Sequence, residues 1–175
     1  DEVVEQVTTG DDGLVTSKEL YLGKYLVYEV TAPYGYVLSD EVHEIEFTYA
    51  GQEVSIIEKA TAFTNERQKA TLSIQKILET NDIFGIGANG EIKNVVFGLY
   101  AAEELVSASG AVIPTQGLIE EITFDENGLA TISTDLPFGS YYVKEIATDE
   151  HYLLNSEKYE FVFEYQGQGI VCVAL

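Results

Sequence analysis

Apolar and polar residues alternate with a period of two along much of the chain. The segments LSIQKIL at 72–78, LATISTDL at 129–136, YYVKEI at 141–146 and YEFVFEY at 159–165 place β-branched or aromatic residues at alternate positions, which predicts strands. Between and around them, DDG at 11–13, YG at 34–35, ANG at 88–90, ENG at 126–128 and QGQG at 166–169 supply the Gly and Asx residues that turns require. Short strands at this spacing predict an all-β sandwich. AAEELVSA at 101–108 is the one stretch with helical character; it is too short to be stable alone and is expected as a loop or a single turn.

Self-comparison sets the organisation. Residues 23–40, GKYLVYEVTAPYGYVLSD, lie over residues 139–156, GSYYVKEIATDEHYLLNS, at a constant offset of 116 that pairs Gly23, Tyr25, Val27, Glu29 and Tyr36 with Gly139, Tyr141, Val143, Glu145 and Tyr152. The same offset places YAGQ at 49–52 on YQGQ at 165–168, and an offset of 115 places 3–14 on 118–129. The chain therefore carries a repeat of about one small domain. Residues 1–68 are read as the C-terminal part of a first domain without its opening strands, and residues 69–175 as a second domain with an incomplete final strand.

Charge and composition narrow the function. The formal net charge of −21, from 30 acidic against nine basic residues, repels phosphate backbones and anionic lipid, which argues against nucleic-acid and membrane-surface roles. A chain without Met implies a piece of a longer protein, with any export signal or anchor expected outside it. The lone Cys172, in the apolar run GIVCVAL, cannot form an internal disulfide and is expected as a buried strand thiol. Neither His43 nor His151 has metal-ligand spacing to a Cys or a second His; His43 is expected to alternate outward in VHEIEF, and His151 to sit in a polar loop. The acidic segments at 8–13 and 124–128 lack full calcium-loop spacing and read as turns. No nucleophile elbow, P-loop or dinucleotide fingerprint occurs, so turnover of an external substrate is not expected, and no cofactor is implied.

One segment carries a specific resemblance. YLVYEVTAPYGY at 25–36 is similar to the E-box of the Cna B-type, or SpaA-like, domains of Gram-positive adhesins and pilins, in which Tyr-x-Leu/Val-x-Glu is followed by Ala-Pro-x-Gly-Tyr. LSIQK at 72–76, VVFGLY at 95–100 and TNERQ at 64–68 support it. In the second copy TDEH at 148–151 replaces Ala-Pro-x-Gly, a departure that changes the loop but leaves Glu145 on its strand. The resemblance implies tandem reversed-immunoglobulin-like β-sandwich domains and a self-made Lys–Asn or Lys–Asp isopeptide bond. It assigns Lys76 as nucleophile and Glu145 as proton shuttle in the second copy, and Glu29 as shuttle and Asn65 as electrophile in the first. The partners of Lys76 and Asn65 then lie outside the chain; the position matching Asn65 is 181.

The implied reaction is chemically consistent. Burial among apolar groups disfavours a Lys charge and frees the amine as a nucleophile, and it favours a protonated carboxyl that can polarise an amide carbonyl and shuttle protons. Alternation places Leu72, Ile74 and Lys76 on one face and Tyr141, Val143 and Glu145 on another. The plainer alternatives are an edge Lys76 with its amine in water, a simple Lys76–Glu145 ion pair, and a turn-forming Asn65. In a string of stalk domains the first and last strands of each should run parallel. A parallel neighbour needs a crossover of a dozen or more residues, about twice the link from Asn65 to the next strand, so Lys76 and Asn65 of one molecule are not expected to join.

The function expected is a structural stalk or pilus module at the cell wall or cell surface, outside the cell, with neighbouring domains of the same protein as partners. The alternative is an adhesive module binding a host matrix protein or glycan through a sheet face or loops.

Overall fold

A computed structural model describes residues 2–107, 110–132 and 134–175. Eleven strands occur among the described residues: β1 (Gly23–Tyr28), β2 (Val42–Phe47), β3 (Lys69–Gln75), β4 (Val96–Ala101), β5 (Leu105–Val106), β6 (Val112–Ile113), β7 (Leu118–Thr123), β8 (Leu129–Ile132), β9 (Gly139–Ala147), β10 (Tyr159–Phe163) and β11 (Cys172–Ala174). No α-helix occurs among the described residues, and none is long and apolar enough to cross a membrane. The chain divides into two compact units. One comprises the residues up to Val30 together with Ser39–Thr64; the other comprises Thr31–Leu38 and Asn65–Leu175.

The second unit is a β-sandwich. A four-stranded sheet ordered β10-β9-β4-β7 and a three-stranded sheet ordered β11-β3-β8 supply the core. Alternation makes that core: β3 turns Ala70 and Leu72 inward, β8 Ala130 and Ile132, β9 Tyr141 and Val143, and β4 Phe97, Leu99 and Ala101. The first and last strands, β3 and β11, run parallel, with Cys172 opposite Lys69 and Ala174 opposite Thr71. This is the arrangement expected of a module whose chain enters at one end and leaves at the other.

In the first unit β1 and β2 form an antiparallel pair with Gly23 opposite Phe47 and Tyr28 opposite Val42. The repeat is visible in the backbone. β9 and β10 pair with Gly139 opposite Phe163, the same register moved by 116 residues. Gly23 and Gly139 have φ of 156° and 155°, and Gly13 and Gly128 have 75° and 74°. Tyr25 donates to the Tyr21 carbonyl at 2.9 Å, and its counterpart Tyr141 donates to the Pro137 carbonyl.

Three local expectations are corrected. Cys172 lies on a strand but is exposed, because Val173 and Leu175 are the residues that pack on the core and Cys172 alternates away from them. His43 shares the half-buried face of β2 with Ile45 and Phe47, where its ring stacks on Phe63 with centroids 4.4 Å apart and its nitrogens face Thr61 and Glu41. The stretch at 101–108 ends β4 and forms β5, which pairs with β6; Leu105 inserts into the core, and tertiary packing overrides the weak helical preference. Ala108 of that stretch and Ser133 of the segment at 129–136 lie outside the described residues.

Candidate crosslinking site

β3 carries Lys76 to the sandwich interior by parity. Leu72 is buried, Ile74 half-buried, and Lys76 follows two residues on, with its side chain 20% exposed. Its backbone is fixed by the turn that precedes β8: Lys76 N–H donates to the Gly128 carbonyl at 2.8 Å. Asp125 builds that turn, since its Oδ1 accepts the N–H groups of Asn127 and Leu129 at 2.8 Å each. Those bonds, led by the one from Leu129, hold the Asp125 carboxyl below its usual range.

Glu145 arrives from the facing sheet. It occupies β9 opposite Phe97 of β4, in line with the buried Tyr141 and Val143, and its side chain is 1% exposed. Burying a carboxyl on an inner sheet face requires compensation. Its Oε2 accepts the Asn155 N–H at 2.7 Å, and its Oε1, with no hydrogen-bond donor aligned on it, has the Lys76 Nζ at 3.1 Å. The same ammonium lies 5.8 Å from the centre of the Phe97 ring. A lysine amine and a carboxyl therefore meet against an aromatic face, largely out of water.

Lys76, but not Glu145, lines a groove of about 430 Å³ running beside the second half of β3, together with Ile74, Phe97, Val143, Asn155 and Phe161 among others. β11 pairs with β3 only at Lys69–Thr71, and Leu175 N–H closes the ladder on the Thr71 carbonyl at 2.9 Å, so β3 from Leu72 onward borders the groove on that side.

The other two residues are placed separately. Glu29 follows β1 in the first unit, and its Oε2 accepts the Ser39 N–H at 2.8 Å. Ser39 and Asn155 are equivalent in the repeat, so both glutamates are held by the same backbone bond. Asn65 belongs to the second unit, half-buried, and donates from Nδ2 to the Val37 carbonyl at 3.1 Å. It precedes β3 whereas Lys76 follows it. A seven-residue strand spans roughly 20 Å, so the two do not meet.

Sequence reasoning missed the Asn155 amide and the Phe97 ring. A backbone donor leaves no residue-type signature, although the 116-residue offset that aligns Glu29 with Glu145 also aligns Ser39 with Asn155. Elsewhere, Asp149 is buried and ties a polar loop together, accepting from Asn94 Nδ2 at 2.6 Å and meeting His151 Nδ1 at 2.6 Å. No cluster of metal-binding side chains occurs among the described residues.

The family model described as SpaA, a prealbumin-like fold domain, matches residues 1–61 and 70–173. The chain is 26% identical over 145 residues to the trypsin-resistant surface T6 protein of Streptococcus pyogenes serotype M6, a match covering 77% of this chain and 24% of that protein. It also resembles a solved structure of the Bacillus anthracis TIE protein, with a TM-score of 0.55 and 28% identity over 95% of this chain and 27% of the other. The chain thus spans about a quarter of the length of each of these relatives.

Proposed function

Given that the chain belongs to the SpaA prealbumin-like family, we propose that it is a structural stalk or pilus module of a Gram-positive surface protein whose second unit is locked by a Lys76 isopeptide bond. The observation that carries this reading is the 3.1 Å approach of Lys76 to the buried Glu145, with Lys76 also lining an open groove beside β3.

The partner side chain comes from a strand that continues β11 along β3. Extending the register of Cys172 opposite Lys69 sets position 179 opposite Lys76; position 181, equivalent to Asn65, follows two residues on and points to the same side. That separation, roughly 7 Å, is within reach of the lysine stem. In the reaction, the Glu145 carboxylate takes a proton from the Lys76 ammonium, and the amine so formed attacks the side-chain carbonyl carbon of an Asn. The protonated Glu145 donates its proton towards that carbonyl oxygen, takes one from the attacking nitrogen and passes it to the departing one as the carbonyl re-forms. One C–N bond forms, one breaks, and ammonia leaves; with Asp the leaving molecule is water. Contact distance within a folded core supplies the effective molarity that free amine and amide lack. Glu29 and Asn65 take the corresponding roles of shuttle and electrophile for the first copy.

On this reading the chain is displayed outside the cell beside neighbouring modules of its own polypeptide. The test is intact-protein mass spectrometry on the chain extended through position 181, beside the same chain carrying Glu145→Ala. A deficit of one ammonia or one water that disappears in the variant is expected. A full, unmodified mass in the folded parent would refute the bond.

A further inference from the structure

The segment Thr31–Leu38 belongs to the first copy of the repeat by sequence but to the second compact unit by its contacts. Its backbone is bound along its length. Ala32 N–H donates to Gln168 Oε1 at 3.0 Å, the Gly35 carbonyl accepts from Gln68 N–H at 2.9 Å, and the Tyr36 carbonyl accepts from Tyr165 Oη at 3.2 Å. Val37 N–H donates to the Glu66 carbonyl at 2.8 Å, and Leu38 N–H to the Gln168 carbonyl at 2.9 Å. Ala32 and Gly35 are buried, and the Tyr34 ring lies 4.8 Å from that of Tyr165 and 6.0 Å from that of Phe138.

The surface beneath the segment is itself braced. Gln68, only 2% exposed, fixes the turn that bears Gln168: its Nε2 donates to the carbonyls of Gly167 at 3.1 Å and Ile170 at 2.7 Å, and its Oε1 accepts from Gln166 N–H at 2.9 Å. The fit of this surface at Gly35 is close. Gly35 has φ +88°, and a Cβ there would stand 3.1 Å from the Phe138 ring, so the site takes glycine at that point. In the second copy the equivalent position is His151, and Leu153, equivalent to Val37, is 95% exposed.

We propose that residues 65–68, the turn at 165–170 and Phe138 form a peptide-binding site for an Ala-Pro-Tyr-Gly-Tyr turn, filled by the chain's own residues 31–38. The bound turn keeps the two parts of the polypeptide together when the chain is severed at the junction of Thr64 and Asn65. A stalk exposed to proteases would gain from such a fastening, which is independent of the Lys76 bond. The site favours turns with the first copy's Pro-x-Gly and rejects the second copy's TDEH.

The test inserts a site-specific protease sequence between Thr64 and Asn65, cuts the folded chain, and runs it on native size-exclusion chromatography. The expected result is one peak containing both pieces, resolved into two by denaturant. Gly35→Val, and separately the double variant Tyr34→Ala with Gln168→Ala, should each give two peaks after cutting; the double variant, which changes no buried residue, keeps the test decisive if Gly35→Val does not fold. Two peaks from the cut parent, or one peak persisting in the double variant, would overturn the proposal.

Discussion

Lys76, the residue after β3, and Glu145 on β9 face each other across the sandwich at 3.1 Å, with the carboxylate 1% exposed and the ammonium 20% exposed. In the chain ending at Leu175 this pair contributes as an ion pair. Removing one member strands the other in a poorly solvated place, so Lys76→Met or Glu145→Leu alone should cost about 3 kcal/mol, the lower end for a buried pair because Lys76 keeps some water. The double variant, which leaves no charge behind, should recover most of that loss. Urea unfolding of the four proteins measures the coupling; additive losses would mean that the two groups do not interact.

Gly128 is the hidden support of that pair. Its φ is +74°, and a Cβ would stand 2.1 Å from the Lys76 carbonyl oxygen. Gly128→Ala should therefore destabilise the second unit by about 1–3 kcal/mol through backbone strain. It should also shift Lys76 away from Glu145 and slow amide formation in the chain extended through position 181. Timed mass spectrometry after refolding would show the slower loss of ammonia.

Tyr141 is fully buried, and its hydroxyl donates to the Pro137 carbonyl. Burial, assisted by the nearby Glu103 charge, pushes its pKa up to about 12. The unfolded chain loses this proton near pH 10, the folded one near 12, so stability is complete below about pH 10 and falls as pH rises through that window. Tyr141→Phe should cost about 1–2 kcal/mol at neutral pH by orphaning the carbonyl, and should flatten the alkaline decline. Urea midpoints measured from about pH 8 to 11 compare the two slopes.

The Asp149–His151 pair acts in a lower range. The Asn94 side chain, then His151, hold the Asp149 carboxyl below its ordinary value, and the bond to Asp149 raises the His151 imidazole. A raised His contributes fully below its unfolded pKa near 6.5 and fades as pH rises through the folded value. A depressed Asp contributes above about 4 and fades as pH falls. The pair should help most between about pH 4 and 6.5. Thermal unfolding of His151→Ala beside the parent should therefore show a larger gap near pH 5.5 than near pH 8; an equal gap would remove the charge from the account.

The repeat and the inward placement of Lys76 and Glu145 were legible because they depend on residue type at fixed spacing. Parity alone turned Lys76 and Glu145 inward, and the 116-residue offset foretold a register that β1–β2 and β9–β10 share. Parity failed where the choice of face was open: in GIVCVAL apolar residues fill both faces, so nothing in the run marked Cys172 as the outward one. His43 was misplaced for a related reason, since Phe63, the ring it stacks on, is twenty residues away. Least legible was the transfer of Thr31–Leu38 into the second unit. The Pro-x-Gly turn is conspicuous, but Gln68, Phe138 and Tyr165, which receive it, are scattered over a hundred residues and share no motif.

The parallel pairing of β3 with β11 sets how the second unit carries tension. Pulling the start of β3 against the end of β11 slides two neighbouring strands along each other, so the ladder bonds between them are loaded together, in shear. An antiparallel pair pulled from adjacent ends would open like a zipper, one bond at a time. The load path also crosses directly from one terminal strand to the other and bypasses β4, β7, β9 and β10. The four-stranded sheet can then bend or breathe without slackening the line of force.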